Sequence, residues 1–455
     1  MPDPRPVPMR GAEALLWTIG RDPVLRSTVV AVLVLDRAPD DKELADAFVD
    51  LTAVVPRLTM RVVPPRSGVG RPRWDPVDRL VMSQHLHRLA APSPGDLRSV
   101  LDVAQAMAGT AFDPELPLWE ALLVEGLEEG RGALVVKLHH SVVDGVGGLQ
   151  ALFAVAEPEG PHGRAVTGKG TGGLAPVHAL RSAGRLVGSG LDALRRPGPT
   201  AAGLLHGAAT AARLLVPTPT PLSPAMRERG QLRQAVVLDV PTADLHDAAR
   251  RVGASVNDVF VSAVLDALER YHAGRGAYVR ALRGTIPVNI RGEGDVVGSN
   301  RFVPARFVFP LVATSTAARV RSVHRVMHGA VHDSWLVVSD LLAEGLARLP
   351  APLATAAFGS MLKGADFIAT NMRGPVQPLQ VAGATVERVY ALAPPAGAAF
   401  NVALVTVGDV GCVGVVFDRA AVADPDALTA ALQSAFAEVS RLAAFPGRAR
   451  RPHRP

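Results

Sequence analysis

The chain has 455 residues, 48% hydrophobic and 20% charged, the balance of an ordinary globular protein with a sizeable core, in two domains or one large one with an internal repeat of architecture. A single cysteine, Cys412, excludes a disulfide framework and a thiolate zinc site, and fits a reducing compartment. The net charge of +6 is concentrated between Pro161 and Val216, with a second basic cluster from Arg448 to Arg454. Neither patch has interleaved aromatics, which argues against single-stranded nucleic acid and leaves two readings: contact with phosphates of anionic lipid or a nucleotide cofactor, or a solvated linker and tail.

In chain order, Gly11–Thr18 is predicted to be helical and the apolar run Thr28–Leu35 a strand. Asp40–Val55 carries Leu44, Phe48 and Leu51 on one helical stripe. Arg61–Trp74 has the breaks of a hairpin or loop, and Leu97–Thr110 is helical. Ala121–Glu125 and Gly132–His140 read as paired strands, followed by a helix over Val146–Val155. The Gly/Pro-rich stretch Pro158–Pro176 is the expected domain boundary. Beyond it, Val177, Leu180, Gly184, Val187, Leu191 and Leu194 recur at helical spacing beside Arg181, Arg185 and Arg195, a basic amphipathic helix, with another over Leu204–Val216.

The second half opens with a strand at Leu232–Val240. Ala254–Tyr271 is a helix that Ser255 can cap, with Asp258 at the capping-box position. Strands follow at Arg283–Ile290, Phe302–Val312, Asp366–Thr370, Phe400–Val407 and Val413–Phe417, and a helix at Pro425–Leu442. The uncharged run Val389–Gly408 contains Pro394, Pro395 and Gly397, so two strands around a turn are expected there and no transmembrane helix. No secretory signal is expected either. This order predicts an α/β fold of two domains, residues 1–160 and 226–455, joined by a basic linker over 161–225.

The most specific stretch is Lys137-Leu138-His139-His140-Ser141-Val142-Val143-Asp144-Gly145. On a strand, His140 shares a face with Leu138 and Val136, and His139 shares one with Lys137 and Val135. The apolar face is the expected interior, so His140 should meet an enclosed space and serve as a general base toward a hydroxyl. Opposed faces keep the two imidazoles from one metal ion, and no metal is expected. Gly163–Lys169 mimics a phosphate loop, but Gly170 replaces the required Ser or Thr. No G-x-S-x-G frame is present, so a nucleophile-elbow hydrolase is not expected.

From Phe112 through the double histidine to Gly148 the chain resembles the bacterial wax ester synthase and acyl-CoA:diacylglycerol acyltransferase family, within the coenzyme A-dependent acyltransferases. Pro117-Leu118-Trp119-Glu120, Val256-Asn257-Asp258-Val259, Pro287–Arg291, Asn371–Pro375 and Phe417-Asp418-Arg419 extend the likeness over nearly the whole chain. The resemblance implies a mixed sheet in each half and a tunnel between them, entered by acyl-CoA and by the acceptor alcohol. It implies His140 as base, with His139 and Asp144 in the catalytic motif, and Gly145, Asn257 and Trp119 toward the substrate. Asp258 caps its helix and supports the site, and Arg291 pairs with Asp144. Asn257 at the positive end of its helix could donate to the developing oxyanion.

No resident cofactor is implied; acyl-CoA is a cosubstrate, and the acceptor is a long-chain alcohol or diacylglycerol. The expected location is cytoplasmic, peripheral to an anionic membrane face or lipid droplets. Two other readings remain open: acylation of a specialised metabolite from a coenzyme A or carrier-protein thioester, and a non-catalytic lipid-binding relative.

Overall fold

Strand β2 (Thr28–Leu35) is apolar on both faces because both faces are covered. Leu33 and Leu35 pack toward Phe48, Trp74 and Trp119, whereas Val30, Val32 and Val34 pack toward Val100, Leu101 and Ala104 of helix α3 (Leu97–Gly109). The second cluster also contains Cys412 and Val416 of strand β15 (Val410–Asp418), so apolar packing joins the two halves. These relations come from a computed structural model, in which residues 6–66, 70–142, 220–289, 302–312, 315–329 and 345–444 are described.

Two mixed six-stranded sheets carry the fold, as expected of an α/β chain with a sheet in each half. The first runs β12-β13-β2-β7-β6-β5, with β5 (Leu86–Ala90), β6 (Trp119–Glu125), β7 (Gly132–His139), β12 (Leu379–Val381) and β13 (Ala384–Leu392). All its pairs are antiparallel except β5 with β6. The second runs β10-β9-β11-β14-β15-β8, with β8 (Arg233–Pro241), β9 (Ala281–Asn289), β10 (Phe302–Pro310), β11 (Phe367–Arg373) and β14 (Phe400–Val407). A small sheet pairs β4 (Arg73–Pro76) with β1 (Val7–Pro8) and with β3 (Met60–Val63), the hairpin expected after Arg61.

The run Val389–Gly408 forms two strands around a turn, as expected, and the two strands lie in different sheets: β13 pairs with β2, and β14 pairs with β11 and β15. The chain thus returns from the second half to complete the first sheet. A polar tie accompanies the crossover, because Tyr390 Oη donates to Asp239 on β8 at 2.8 Å and Arg388 Nε donates to the same carboxylate at 2.7 Å.

Helix α1 is Gly11–Ile19 and α2 Asp41–Val54, the latter started by a capping box of Asp40 and Glu43. In the second half, α4 (Thr242–Val252) and α5 (Val256–Ala273) precede β9. The helix α6 (Thr316–Gly329) follows β10, α7 (Ala351–Leu362) precedes β11, and α8 (Pro425–Ala444) ends the described chain. Val259, Phe260, Val264 and Leu268 of α5 meet Leu428, Leu432 and Phe436 of α8 and Val320 and Val323 of α6 in the largest core. A fully buried side chain the size of Phe260 contributes about 1.5–3 kcal/mol. Among the described residues no helix is long and apolar enough to cross a membrane. The predicted helix over Val146–Val155 and the two basic amphipathic helices lie outside the described residues.

Candidate active site

Strand β7 lies inside the first sheet between β2 and β6, and the double histidine stands at its end. The His139 amide donates to the Leu118 carbonyl at 3.0 Å, and the His140 amide to the Ser27 carbonyl at 2.8 Å. Val142 N–H then closes a turn on the His139 carbonyl at 2.9 Å. Both histidines are therefore aimed by backbone bonds from neighbouring segments.

Their environments differ. His139 is buried, and its Nδ1 accepts from the Ser141 amide at 3.1 Å and lies 2.7 Å from Ser141 Oγ. A backbone amide can only donate, so Nδ1 is an acceptor and the ring proton sits on Nε2. Burial, with a smaller contribution from the neighbouring His140, pushes this imidazole down to about 3, so His139 stays neutral in ordinary buffers. His140 is half-buried.

The face shared by His139 and Lys137 is not an outer one, contrary to the strand-polarity argument. Lys137 is fully buried, 3.1 Å from Glu120 Oε1, directly opposite it on β6, and its ammonium donates to Thr110 Oγ1 at 2.9 Å. Its ammonium also sits 4.3 Å over the Phe112 ring, which meets His139 edge-on at 6.2 Å. Desolvation lowers the Lys137 pKa, with Glu120 working in the opposite direction. The pairing with Glu120 is what allows a lysine inside, and it was legible only once β6 and β7 were in register.

Trp119 is also enclosed, at 1% exposure. It is stacked on Phe48 and on His85, at ring-centroid separations of 5.2 and 4.3 Å, and donates Nε1–H to the Leu58 carbonyl at 2.8 Å. That position offers no open surface to a substrate and assigns Trp119 to packing behind β6. Two residues not singled out from sequence brace the histidine turn. Arg57 donates to the Val142 carbonyl at 3.4 Å and pairs at 2.7 Å with Glu13, which is buried and also accepts from Trp74 Nε1 at 3.1 Å. An acid at the third position of a helix that is otherwise apolar was the available signal.

Asn257 and Asp258 stand in the second half, at the start of α5. Asp258 is the expected cap: its Oδ2 accepts from the amide and the hydroxyl of Ser255, each at 2.8 Å, while Ser255 Oγ accepts from the Asp258 amide at 3.1 Å. The same Oδ2 accepts from His324 Nδ1 at 2.8 Å. Asn257 keeps a buried Oδ1 with no hydrogen-bond partner among the described residues. Asp144, Gly145 and Arg291, and with them the expected pair between Asp144 and Arg291, lie outside the described residues.

The catalytic-domain model "Wax ester synthase/diacylglycerol acyltransferase catalytic domain" matches residues 9–260, and "WS/DGAT C-terminal domain" matches residues 299–440. The chain belongs to the wax ester synthase/diacylglycerol acyltransferase family. A Mycobacterium tuberculosis relative, provisionally named a diacylglycerol O-acyltransferase, is 31% identical over 93% of this chain and 90% of its own length. A second from that organism, similarly named, is 25% identical over 90% of each chain. Among solved structures, the wax ester synthase/diacylglycerol acyltransferase of Marinobacter aquaeolei superposes with a TM-score of 0.64 at 21% identity, covering 96% of this chain and 100% of that one. The first condensation domain of the calcium-dependent antibiotic synthetase gives 0.63 at 19% identity, over 98% and 97%. These likenesses place the fold among acyl-transferring and condensing domains, and the family membership makes this chain an acyltransferase of the same type.

Proposed function

We propose that this acyltransferase moves a fatty acyl group from acyl-CoA to the hydroxyl of diacylglycerol or a long-chain alcohol, with His140 as the general base. His140 accepts the hydroxyl proton as the oxygen attacks the thioester carbonyl. The carbon–sulfur bond then breaks, and the proton passes to the departing coenzyme A sulfur. Base catalysis of this kind accounts for roughly 10²–10⁴-fold, and the remainder comes from positioning and oxyanion stabilisation. Asn257, at the electropositive start of α5, is the proposed donor to that oxyanion. His139 is assigned the task of holding the turn, since a buried neutral imidazole already bonded to Ser141 is poorly placed to shuttle protons.

The observation that carries this reading is the asymmetry at the end of β7, where one histidine is locked and its neighbour is half-buried and fixed through the Ser27 carbonyl. The names of the mycobacterial relatives favour diacylglycerol as acceptor. Contact with a membrane face or lipid droplet follows from such substrates and belongs to the same proposal. The test is to incubate purified protein with radiolabelled acyl-CoA and a panel of diacylglycerols, long-chain alcohols and amines. Ester products from the first two are expected. Transfer only to amines, or only from a carrier-protein thioester, would overturn it.

A further inference from the structure

Helix α6 carries histidines at positions 324 and 328, one turn apart, so both rings project from the same side. Their ring centroids are 4.1 Å apart. Both point at one carboxylate: Asp258 Oδ2 lies 2.8 Å from His324 Nδ1 and 3.8 Å from His328 Nε2. Asp258 is the buried cap of α5, and its second oxygen, Oδ1, has no hydrogen-bond partner among the described residues. A capping role explains Oδ2 alone. It leaves unexplained why two imidazoles converge on the cap and why a buried carboxylate oxygen goes unsatisfied, which is costly.

We propose that Asp258, His324 and His328 form a binding site for a divalent transition-metal ion, zinc(II) foremost. Two imidazole nitrogens and one carboxylate oxygen are a donor set that zinc and its neighbours favour, and the ligand atoms all lie within 4.8 Å of one another. Donors about 2.0–2.2 Å from one metal ion stand roughly 3.0–3.5 Å apart, a range the two distances to Oδ2 bracket. Small side-chain rotations therefore suffice. The imidazole side chains are 40% and 42% exposed, so water can complete the coordination. The two amide and hydroxyl bonds from Ser255 orient the carboxylate, as outer-shell partners of metal ligands do. The positive end of α5 opposes a cation here, but that effect is small beside three direct bonds. Such an ion would clamp the start of α5 to α6 and fix the segment that presents Asn257. The ion would be no reactant in the proposed acyl transfer, whose base is His140.

The test uses the full chain, stripped with chelator, and zinc(II) and cobalt(II) as probes. Isothermal titration with zinc is expected to show one strong site, and cobalt to give visible d–d absorption of a low-coordinate nitrogen–oxygen site. Changing His324→Ala or His328→Ala should weaken zinc binding at least about tenfold, and the double change should abolish it. His87→Ala, at an exposed histidine elsewhere, should leave binding unaltered. Circular dichroism confirms that each variant is folded, which substitution of partly exposed rings permits. Zinc should raise the thermal midpoint of the unaltered protein and not that of the folded double variant. Equal zinc affinity in the unaltered protein and the double variant, or no strong site in either, would overturn the proposal and leave Asp258 a helix cap bonded to His324.

Discussion

The histidine pairs His139/His140 and His324/His328 differ in spacing, and the spacing decides what each pair can do. His139 and His140 are adjacent at the end of a strand, so their rings diverge and acquire unlike surroundings. One becomes a buried neutral acceptor for Ser141, and the other remains half-buried at the turn. His324 and His328 are four apart on a helix, and their rings converge on one carboxylate. Divergence separates roles: a locked ring can orient its neighbour without competing for the same proton. Convergence pools donors on one point, which suits a cation and not a proton relay.

The sharpest way to break this comparison is to remove each member of the first pair. His140→Ala should lower kcat/KM by roughly 10²–10⁴, with the folded state retained. His139→Ala should keep part of the activity and lose stability instead, because it empties a buried site. Steady-state kinetics and urea unfolding on both variants make the check. Equal, complete inactivation of two folded variants would mean that the pair acts as a unit.

A smaller effect concerns the locked ring alone. Its folded pKa of about 3 lies below the value near 6.5 for an unfolded histidine. The unfolded chain therefore binds the extra proton as pH falls, and the stability held above about 6.5 is lost progressively toward 3. The slope is at most about 1.4 kcal/mol per pH unit, or about 2 kcal/mol between pH 6.5 and 5. His85 and His272, also pushed down by burial, add in the same direction. The comparison is thus between the protein and a folded His139→Asn variant, whose stability should fall less on going from pH 7 to 5. Parallel urea midpoints in the two proteins would show that His139 is not held neutral.

Bracing of the turn comes next in size. Arg57→Met removes the partner of buried Glu13 and the bond to the Val142 carbonyl, and should cost about 1–3 kcal/mol. Because Arg57 keeps 22% exposure, the full penalty of a buried pair is not expected. An unchanged urea unfolding midpoint would remove Arg57 from the support of His140.

Much of this was legible before any coordinates, for physical reasons that differ from one element to the next. The continuous apolar run of β2 and the Ser255-to-Asp258 capping box of α5 are local signals, and they fold as local rules dictate. Helix α6 was equally open to reading, since Val320, Val323 and Met327 repeat at helical steps, but its arginines and histidines masked the stripe. The placement of β13 was not readable, because pairing with β2 across some 350 residues leaves no local trace. Strand polarity also misled at the double histidine. A lysine and a histidine mark a face as outer only when nothing neutralises them, and Glu120 and Ser141 do.

The smallest change tests whether the locked ring passes position to its neighbour. Gly20 ends α1 with φ −62 and ψ −9, a right-handed geometry that alanine adopts without strain and favours by up to about 1 kcal/mol. Space is the obstacle. A methyl group there would lie 3.1 Å from His139 Nε2, 3.0 Å from the Leu16 carbonyl and 3.5 Å from Ser27 Cβ. His139 cannot swing away freely, because Ser141 holds its opposite nitrogen, and Ser27 supplies the carbonyl that fixes His140. A shift of a few tenths of an ångström is then shared by both histidines. Gly20→Ala should therefore change stability by under about 1 kcal/mol, as helix propensity offsets crowding. Misplacement of the base by that distance should lower kcat several-fold, on the order of a small part of the 10²-fold that a full 1 Å costs. An unchanged kcat beside an unchanged thermal midpoint would show that the turn absorbs the methyl group before it reaches His140, and that the two rings are independent.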